Sequence, residues 1–237
     1  MHKQTLILQK IAKMFDHSLL RPQLTEEEFE QGVLFSREKQ VATCSVVPFD
    51  VVRAVKMLEG SGVPVSTVLA FPHGTIPTEA KVHEAQLAIN NGAIELDMVM
   101  AISRMLAGDT SYVEQDIHAV VETAHAANVG VKVILETCYL TNEMITKACQ
   151  LCEKAGADFV KTSTGYGTAG ATLEHVILMR NSCSSKVKVK AAGGIRTLDD
   201  VLAYRAHGVD RIATRATPAI LKEAEERQAQ GKLNEIE

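Results

Sequence analysis

Apolar positions along the chain follow two rhythms that alternate from end to end. Short blocks dense in Val, Ile and Leu read as strands: Phe15–Leu20, Val41–Val47, Val65–Phe71, Ile94–Met100, Val131–Thr137, Asp158–Ser163, Val187–Ala192 and Arg211–Thr214. Near-continuous apolar runs of this kind suit parallel strands covered on both faces. Between them, apolar residues recur at helical spacing over Glu26–Glu38, Asp50–Glu59, Thr78–Asn90, Tyr112–Ala127, Asn142–Lys154, Leu173–Asn181 and Leu198–Ala206. A last helix runs from Pro218 to Gln230, and a short one over Thr5–Met14 precedes the first strand.

Helix punctuation agrees with this register. Thr25-Glu-Glu-Glu28 and Thr141-Asn-Glu-Met144 each set a capping hydroxyl before an acidic first turn. Asn91-Gly92, Gly156 and Gly208 fall just past helix ends, where a left-handed residue is often needed. No linker or low-complexity tract divides the sequence. Eight β/α units in 237 residues therefore predict a single-domain (β/α)8 TIM barrel over residues 1–237, with a short N-terminal helix. A doubly wound open sheet is the alternative, but its GxGxxG turn is missing.

Composition narrows the partners. The chain is 46% hydrophobic with a formal net charge of −4 and no Trp, so a sizeable core is available and no basic, aromatic-laced stripe invites nucleic acid. The N-terminus lacks a signal-peptide core, and no apolar run reaches the roughly 20 residues needed to span a bilayer. A cytoplasmic protein with no membrane partner is the expectation. The five cysteines (Cys44, Cys138, Cys149, Cys152 and Cys183) are odd in number, which argues against a disulfide framework. Cys149 and Cys152 form a lone C-x-x-C inside a helical pattern, which reads as two thiols on one helix face before it reads as a metal or redox site.

Candidate chemistry lies at the strand ends, where β→α loops begin and barrels place their functional residues. Lys161 sits in Gly156-Ala-Asp-Phe-Val-Lys-Thr-Ser-Thr-Gly-Tyr-Gly167, among apolar neighbours. Burial disfavours an ammonium, and a neutral amine is a nucleophile toward carbonyls. The alternative is an edge-strand lysine reaching solvent. Asp97 lies late in the fourth strand and Lys190 late in the seventh. Lys188 shares a face with Lys190 but is lower, so Lys190 is the functional candidate. With Lys190 on the strand next to Lys161, repulsion between two ammonium groups would help keep Lys161 neutral near pH 7. Asp97 would hold the pair and shuttle protons. Two lysines and an aspartate at one barrel mouth describe a Schiff-base site. His17, His73, His83, His118, His125, His175 and His207 show no tight metal-ligand spacing.

The chain resembles the deoxyribose-phosphate aldolase family, class I aldolases on a (β/α)8 barrel, over nearly its whole length. The landmarks are Phe15-Asp-His-Ser-Leu-Leu-Arg-Pro22, Val68-Leu-Ala-Phe-Pro-His-Gly74, Gly92-Ala-Ile-Glu-Leu-Asp-Met-Val99, Lys132-Val-Ile-Leu-Glu-Thr-Cys138, Gly156–Gly165 and Lys188–Thr197. The resemblance implies that Lys161 forms the Schiff base, that Lys190 perturbs its pKa and that Asp97 serves in acid–base steps. It assigns Asp16 and Ser18 to the sugar hydroxyl and proton relay. The implied reaction is reversible cleavage of 2-deoxyribose 5-phosphate to acetaldehyde and glyceraldehyde 3-phosphate, without metal or cofactor. A homodimer is usual in such a family.

Several positions depart from the family pattern, all on the acceptor side. Thr164, Gly165, Gly167, Gly193 and Gly194 are present, and glycine N–H groups there can cradle an anion, although tight turns need glycine regardless. After the eighth strand a Gly-Thr-Ser-Ser type of run is replaced by Ala213-Thr-Arg-Ala216, which removes hydroxyls and adds Arg215. Arginine binds phosphate or carboxylate bidentately. Ser45-Val-Val-Pro48, Ala101 and Ala192 also replace polar family residues, and the tail Lys232-Leu-Asn-Glu-Ile-Glu237 lacks a terminal tyrosine. Three alternatives to the family reaction stay open: another acceptor aldehyde, non-phosphorylated or acidic; a catalytically silent sugar-phosphate-binding barrel; and a phosphate-binding barrel isomerase.

Overall fold

In the computed structural model, residues 2–233 are described, with side chains described from Ile7 onward. The end of the tail at 234–237 lies outside them. The strands are β1 (Phe15–Leu19), β2 (Thr43–Val46), β3 (Val65–Leu69), β4 (Glu95–Val99), β5 (Gly130–Ile134), β6 (Phe159–Lys161), β7 (Lys188–Ala192) and β8 (Arg211–Thr214). The helices are α1 (His2–Ala12), α2 (Glu26–Lys39), α3 (Val51–Met57), α4 (Thr78–Asn90), α5 (Ile102–Leu106), α6 (Thr110–His125), α7 (Asn142–Lys154), α8 (Leu173–Ser182), α9 (Leu198–Ala206) and α10 (Thr217–Ala229). All strand pairs are parallel, and β1 closes on β8, so the sheet is the barrel expected from the alternating pattern.

Strand alternation separates two environments. Leu96, Met98, Val131, Val133, Val160, Val189 and Ala191 face the helices and belong to one apolar cluster between sheet and helix ring. The intervening residues point inward, and there the chain departs from an ordinary barrel filled with branched aliphatics. Asp16, Asp97, Lys132, Lys161 and Lys190 are all buried inside. Phe159 is the large apolar residue among them, with Lys132, Lys188 and Arg211 near its ring face at 5.7, 5.5 and 5.4 Å.

Capping sets the helix starts. Thr25 and Glu28 form the reciprocal capping box read from the sequence, and Thr141 accepts from the Met144 N–H. Thr197 and Asp200 make a second box that opens α9. Gly92, Gly156 and Gly208 take positive φ just past their helices. All strands except β8 are shorter than the apolar runs suggested, because those runs continue into the flanking loops: β3 ends at Leu69, β5 at Ile134, β6 spans only Phe159–Lys161, and β2 starts at Thr43. The short α5 was not anticipated. Its Ile102 caps the mouth in a small cluster with Val99, Ile134 and Phe71. Cys149 and Cys152 are buried on the inner face of α7, as free thiols.

One ion pair outside the barrel interior holds β4 in place. Lys81 on α4 and Asp116 on α6 are both fully buried and meet at 2.6 Å. Lys81 also donates to the Val99 carbonyl at 2.9 Å, and Thr78 donates to Asp116 at 2.9 Å. Removing one partner of such a pair strands a charge in the core and typically costs about 3–5 kcal/mol. Asp116→Ala is therefore expected to lower unfolding free energy in urea by about that much, while Lys81→Met/Asp116→Leu recovers most of the loss. Equal loss in the single and double variants would contradict this account.

Candidate active site

Parallel pairing fixes which inward residues meet. Asp97 on β4 is level with Lys132 on β5, and Lys161 on β6 is level with Lys190 on β7. Lys161 donates to Asp97 Oδ2 at 2.7 Å, and Lys190 donates to the same oxygen at 2.6 Å. Lys132 donates to the other oxygen, Oδ1, at 3.0 Å. Asp97 thus carries three ammonium groups.

The network extends across the barrel. Lys190 also bonds Asp16 on β1, and Lys132 pairs with Asp16 at 3.6 Å and with Glu95. Arg211 reaches Asp16 at 2.5 Å and Glu95 at 3.2 Å. Thr43 donates to Asp16 at 2.8 Å. Lys132, Lys161, Lys190 and Arg211 thereby face Asp16, Glu95 and Asp97, one cation in excess. Lys161 touches a single carboxylate, whereas each of the other cations touches at least two. It is the group that sheds its proton most readily.

The electrostatics follow. Burial pulls the Asp97 pKa upward, but Lys132, Lys161 and Lys190 outweigh it and hold the carboxyl well below its ordinary range. Asp16 is held low in the same way, against its own burial, by Lys190, Lys132 and Arg211. Lys132 is pushed up despite burial by Asp97, Asp16 and Glu95. Lys161 alone moves the other way. Burial lowers it, Asp97 partly restores it, Lys190 and Lys132 lower it again, and the result is about 8. A value lowered to about 8 makes the free amine available close to neutral pH.

Lys161 is only 2% exposed and lies on the floor of a cavity of about 440 Å³. The sequence candidates Ser18, Thr164, Gly165, Gly193, Gly194 and Arg215 line that cavity. Asp97, Lys190 and Asp16 do not; they lie beneath it, fully buried. Arg21 and Arg196 also line it. With Lys161 and Arg215 they give a cationic wall that carries no carboxylate among the described residues. Gly193 has φ +83°, and a Cβ on Gly170 would lie 2.3 Å from the Gly193 oxygen, so the loops after β6 and β7 approach closely only as glycines. Thr164 is tied elsewhere: its N–H lies 3.3 Å from both Glu136 carboxylate oxygens, and its hydroxyl bonds Oε2.

Lys132, Glu136 and Arg211, like Glu95, Arg21 and Arg196, were not singled out from the sequence. Lys132 and Glu136 share the inward alternation of the β5 segment, and Glu136 is buried with φ 55°. Arg211 opens β8, too near the lower end of its strand to read as part of a mouth.

A parallel barrel with a partly deprotonated amine under a cationic cavity defines a protein class: barrels equipped to bind a carbonyl compound covalently. The family model described as DeoC/LacD family aldolase matches residues 10–215, and the chain belongs to this family. A deoxyribose-phosphate aldolase of Rhodopirellula baltica is 44% identical, with 90% of this chain and 89% of that one aligned. One from a Thermoanaerobacter species is 46% identical, over 90% of this chain and 96% of that one. The solved deoxyribose phosphate aldolase of Aeropyrum pernix, described as a unique tetramer, superposes with a TM-score of 0.86 at 30% identity, covering 94% of this chain and 96% of that one.

The charge excess makes opposite predictions for two neighbours of Lys161. Lys190→Met should raise the Lys161 midpoint above about 8, because a lowering charge is gone. Asp97→Asn should depress it further, because the raising charge is gone. The pH dependence of reductive labelling at Lys161 reads both; midpoints that do not separate would refute the network as the cause.

Proposed function

We propose that the chain is a class I aldolase that reversibly cleaves 2-deoxy-D-ribose 5-phosphate to acetaldehyde and D-glyceraldehyde 3-phosphate. The supporting observation is Lys161 itself: a buried amine with a pKa lowered to about 8, at the floor of a cationic cavity. Membership of the aldolase family supplies the reaction class.

The steps map onto the geometry. Free Lys161 amine attacks the aldehyde carbon of the open-chain sugar, and loss of water leaves an iminium. The bond between carbons 2 and 3 then breaks as the carbon 3 hydroxyl loses its proton. Its electrons pass to the iminium, giving an enamine and glyceraldehyde 3-phosphate. Protonation of the enamine carbon and attack by water release acetaldehyde and restore Lys161. Asp97, 2.7 Å from Lys161 and 2.6 Å from Lys190, is placed to pass protons between the two nitrogens. Lys190, which donates to the same Asp97 oxygen, lowers the pKa of the amine that forms the imine.

Arg21, Arg196 and Arg215, with the backbone N–H groups of Gly193 and Gly194, form the phosphate end. This cationic lining favours an anionic acceptor over a neutral one. An acidic acceptor aldehyde uses the same recognition and is the second reading. Ser18, on the same wall, is assigned to the sugar hydroxyl; Asp16, beneath it, orders Lys190 and Arg211.

Among the described residues no helix is long and apolar enough to cross a membrane. A cytoplasmic location is our reading. So is a homodimer, supported by exposed Leu34 on α2, Val52 on α3 and Phe49 just before α3, which is 85% exposed. Light scattering tests the assembly, and a monomer would exclude it.

Acetaldehyde followed by borohydride should add a stable secondary amine at Lys161, found by peptide mapping and absent in Lys161→Ala. Labelling spread equally over surface lysines would end the Schiff-base reading. Arg215→Ala should raise KM for the phosphorylated substrate roughly tenfold, the loss of about one charge-assisted contact, and leave an uncharged aldehyde acceptor unaffected. An unchanged KM would remove Arg215 from phosphate recognition.

A further inference from the structure

A second cavity, of about 340 Å³, lies over the ends of β3 to β6, beside the one above Lys161. It is lined by Pro72, Ile102, Leu106 and Tyr139 and by the Glu136 carboxylate, and no Lys or Arg lines it. The two cavities share Thr164 and Tyr166 in their walls. Thr164 is pinned by Glu136. Tyr166 crosses the mouth: its hydroxyl donates to the Leu20 carbonyl at the end of β1 at 2.9 Å. Its ring meets Phe71, past β3, edge-on at 5.5 Å and 89°. Its N–H donates to the Thr164 hydroxyl at 3.0 Å, so the two wall residues brace one another.

We propose that Tyr166 is a specificity-determining wall that restricts the donor to acetaldehyde by closing off this second cavity, which no Lys or Arg lines. The inference rests on the Schiff-base reading above. With the phosphorylated acceptor on the arginine side, a substituent on the donor carbon must point away from the arginines. The space open in that direction lies behind Thr164 and Tyr166. In the carbon–carbon bond-forming direction, enamine carbon 2 attacks the acceptor carbonyl carbon, the acceptor oxygen takes a proton, and water hydrolyses the iminium. Butanal carries an ethyl group on carbon 2, and the ring of Tyr166 stands where that group would go. Truncating the ring joins the cavities without touching Lys161, Asp97, Lys190 or the arginines.

The test is the ratio of kcat/KM for butanal to that for acetaldehyde, with glyceraldehyde 3-phosphate as saturating acceptor. One extra methylene changes discrimination by roughly 10- to 200-fold in a fitted site, so Tyr166→Ala should raise the ratio by about tenfold or more. Tyr166→Phe keeps the ring and loses only its tether to Leu20, so its ratio should stay close to that of the wild type. If Tyr166→Ala is poorly folded, Tyr166→Leu should raise the ratio in the same direction. Adding Leu106→Trp, which fills the second cavity, should cancel the gain. A ratio unchanged in the folded truncation variant overturns the inference while leaving the Schiff base intact. Absence of a borohydride-trapped acetaldehyde adduct at Lys161 of the wild type overturns both.

Discussion

Four cations and three carboxylates share the inside of this barrel, and the mismatch is what gives Lys161 its chemistry. A buried ammonium persists only where carboxylates compensate for lost solvation. Asp97 offers one oxygen to Lys161 and Lys190 together, while Lys132 holds the other. Asp16 and Glu95 are taken up by Lys132, Lys190 and Arg211. No further negative charge in the network is available to Lys161. The same lysine with its own carboxylate would be a structural ion pair, as Lys81 is with Asp116. Reactivity here depends on counting charges as much as on burial.

Such a network needs a scaffold that fixes six strands relative to one another. Parallel pairing places Lys161 level with Lys190, and Asp97 level with Lys132, with no loop involved. The network therefore moves only if the barrel does. Loops supply what must vary between substrates: arginines at 21, 196 and 215, and the Thr164–Gly167 segment that carries Tyr166. Close packing of Gly170 on Gly193 locks the loops after β6 and β7 together, so the anion-facing N–H groups inherit the rigidity of the strands beneath them.

Much of this was legible in the amino-acid order. Alternation alone put Phe159 and Lys161 on one face of their strand, and Lys188 and Lys190 on one face of theirs. The threonines before acidic turns marked where α2 and α7 begin. Legibility failed where contacts join distant strands. Nothing local to Arg211 says that it meets Asp16 and Glu95, and Lys132 looks like one polar residue in an apolar run until β5 is set beside β4. Strand ends were overextended for a related reason: Leu135 stays buried and Phe71 half-buried after the ladder stops, because the mouth has packing of its own. The wall made by Tyr166 was also hidden, since its partner is the backbone of Leu20, and a carbonyl leaves no mark in a sequence.

The amine carries a thermodynamic cost that explains why the surroundings are so heavily bonded. A free lysine side chain titrates near 10.5, and Lys161 near 8. The unfolded chain thus binds the extra proton more tightly than the folded one across that window. Folding stability from this group rises as pH climbs from about 8 to about 10.5, and below it the charged side chain opposes folding by on the order of 3 kcal/mol. That opposition is comparable with the whole contribution of a well-buried aliphatic side chain. It is tolerable because the remaining charges are matched, and because the apolar layer between sheet and helices is continuous. Rigidity and strain therefore share one origin. The carboxylates that hold Lys132, Lys190 and Arg211 in place are the ones withheld from Lys161, so an added carboxylate would raise the pKa of the amine, keep it charged and thereby silence it.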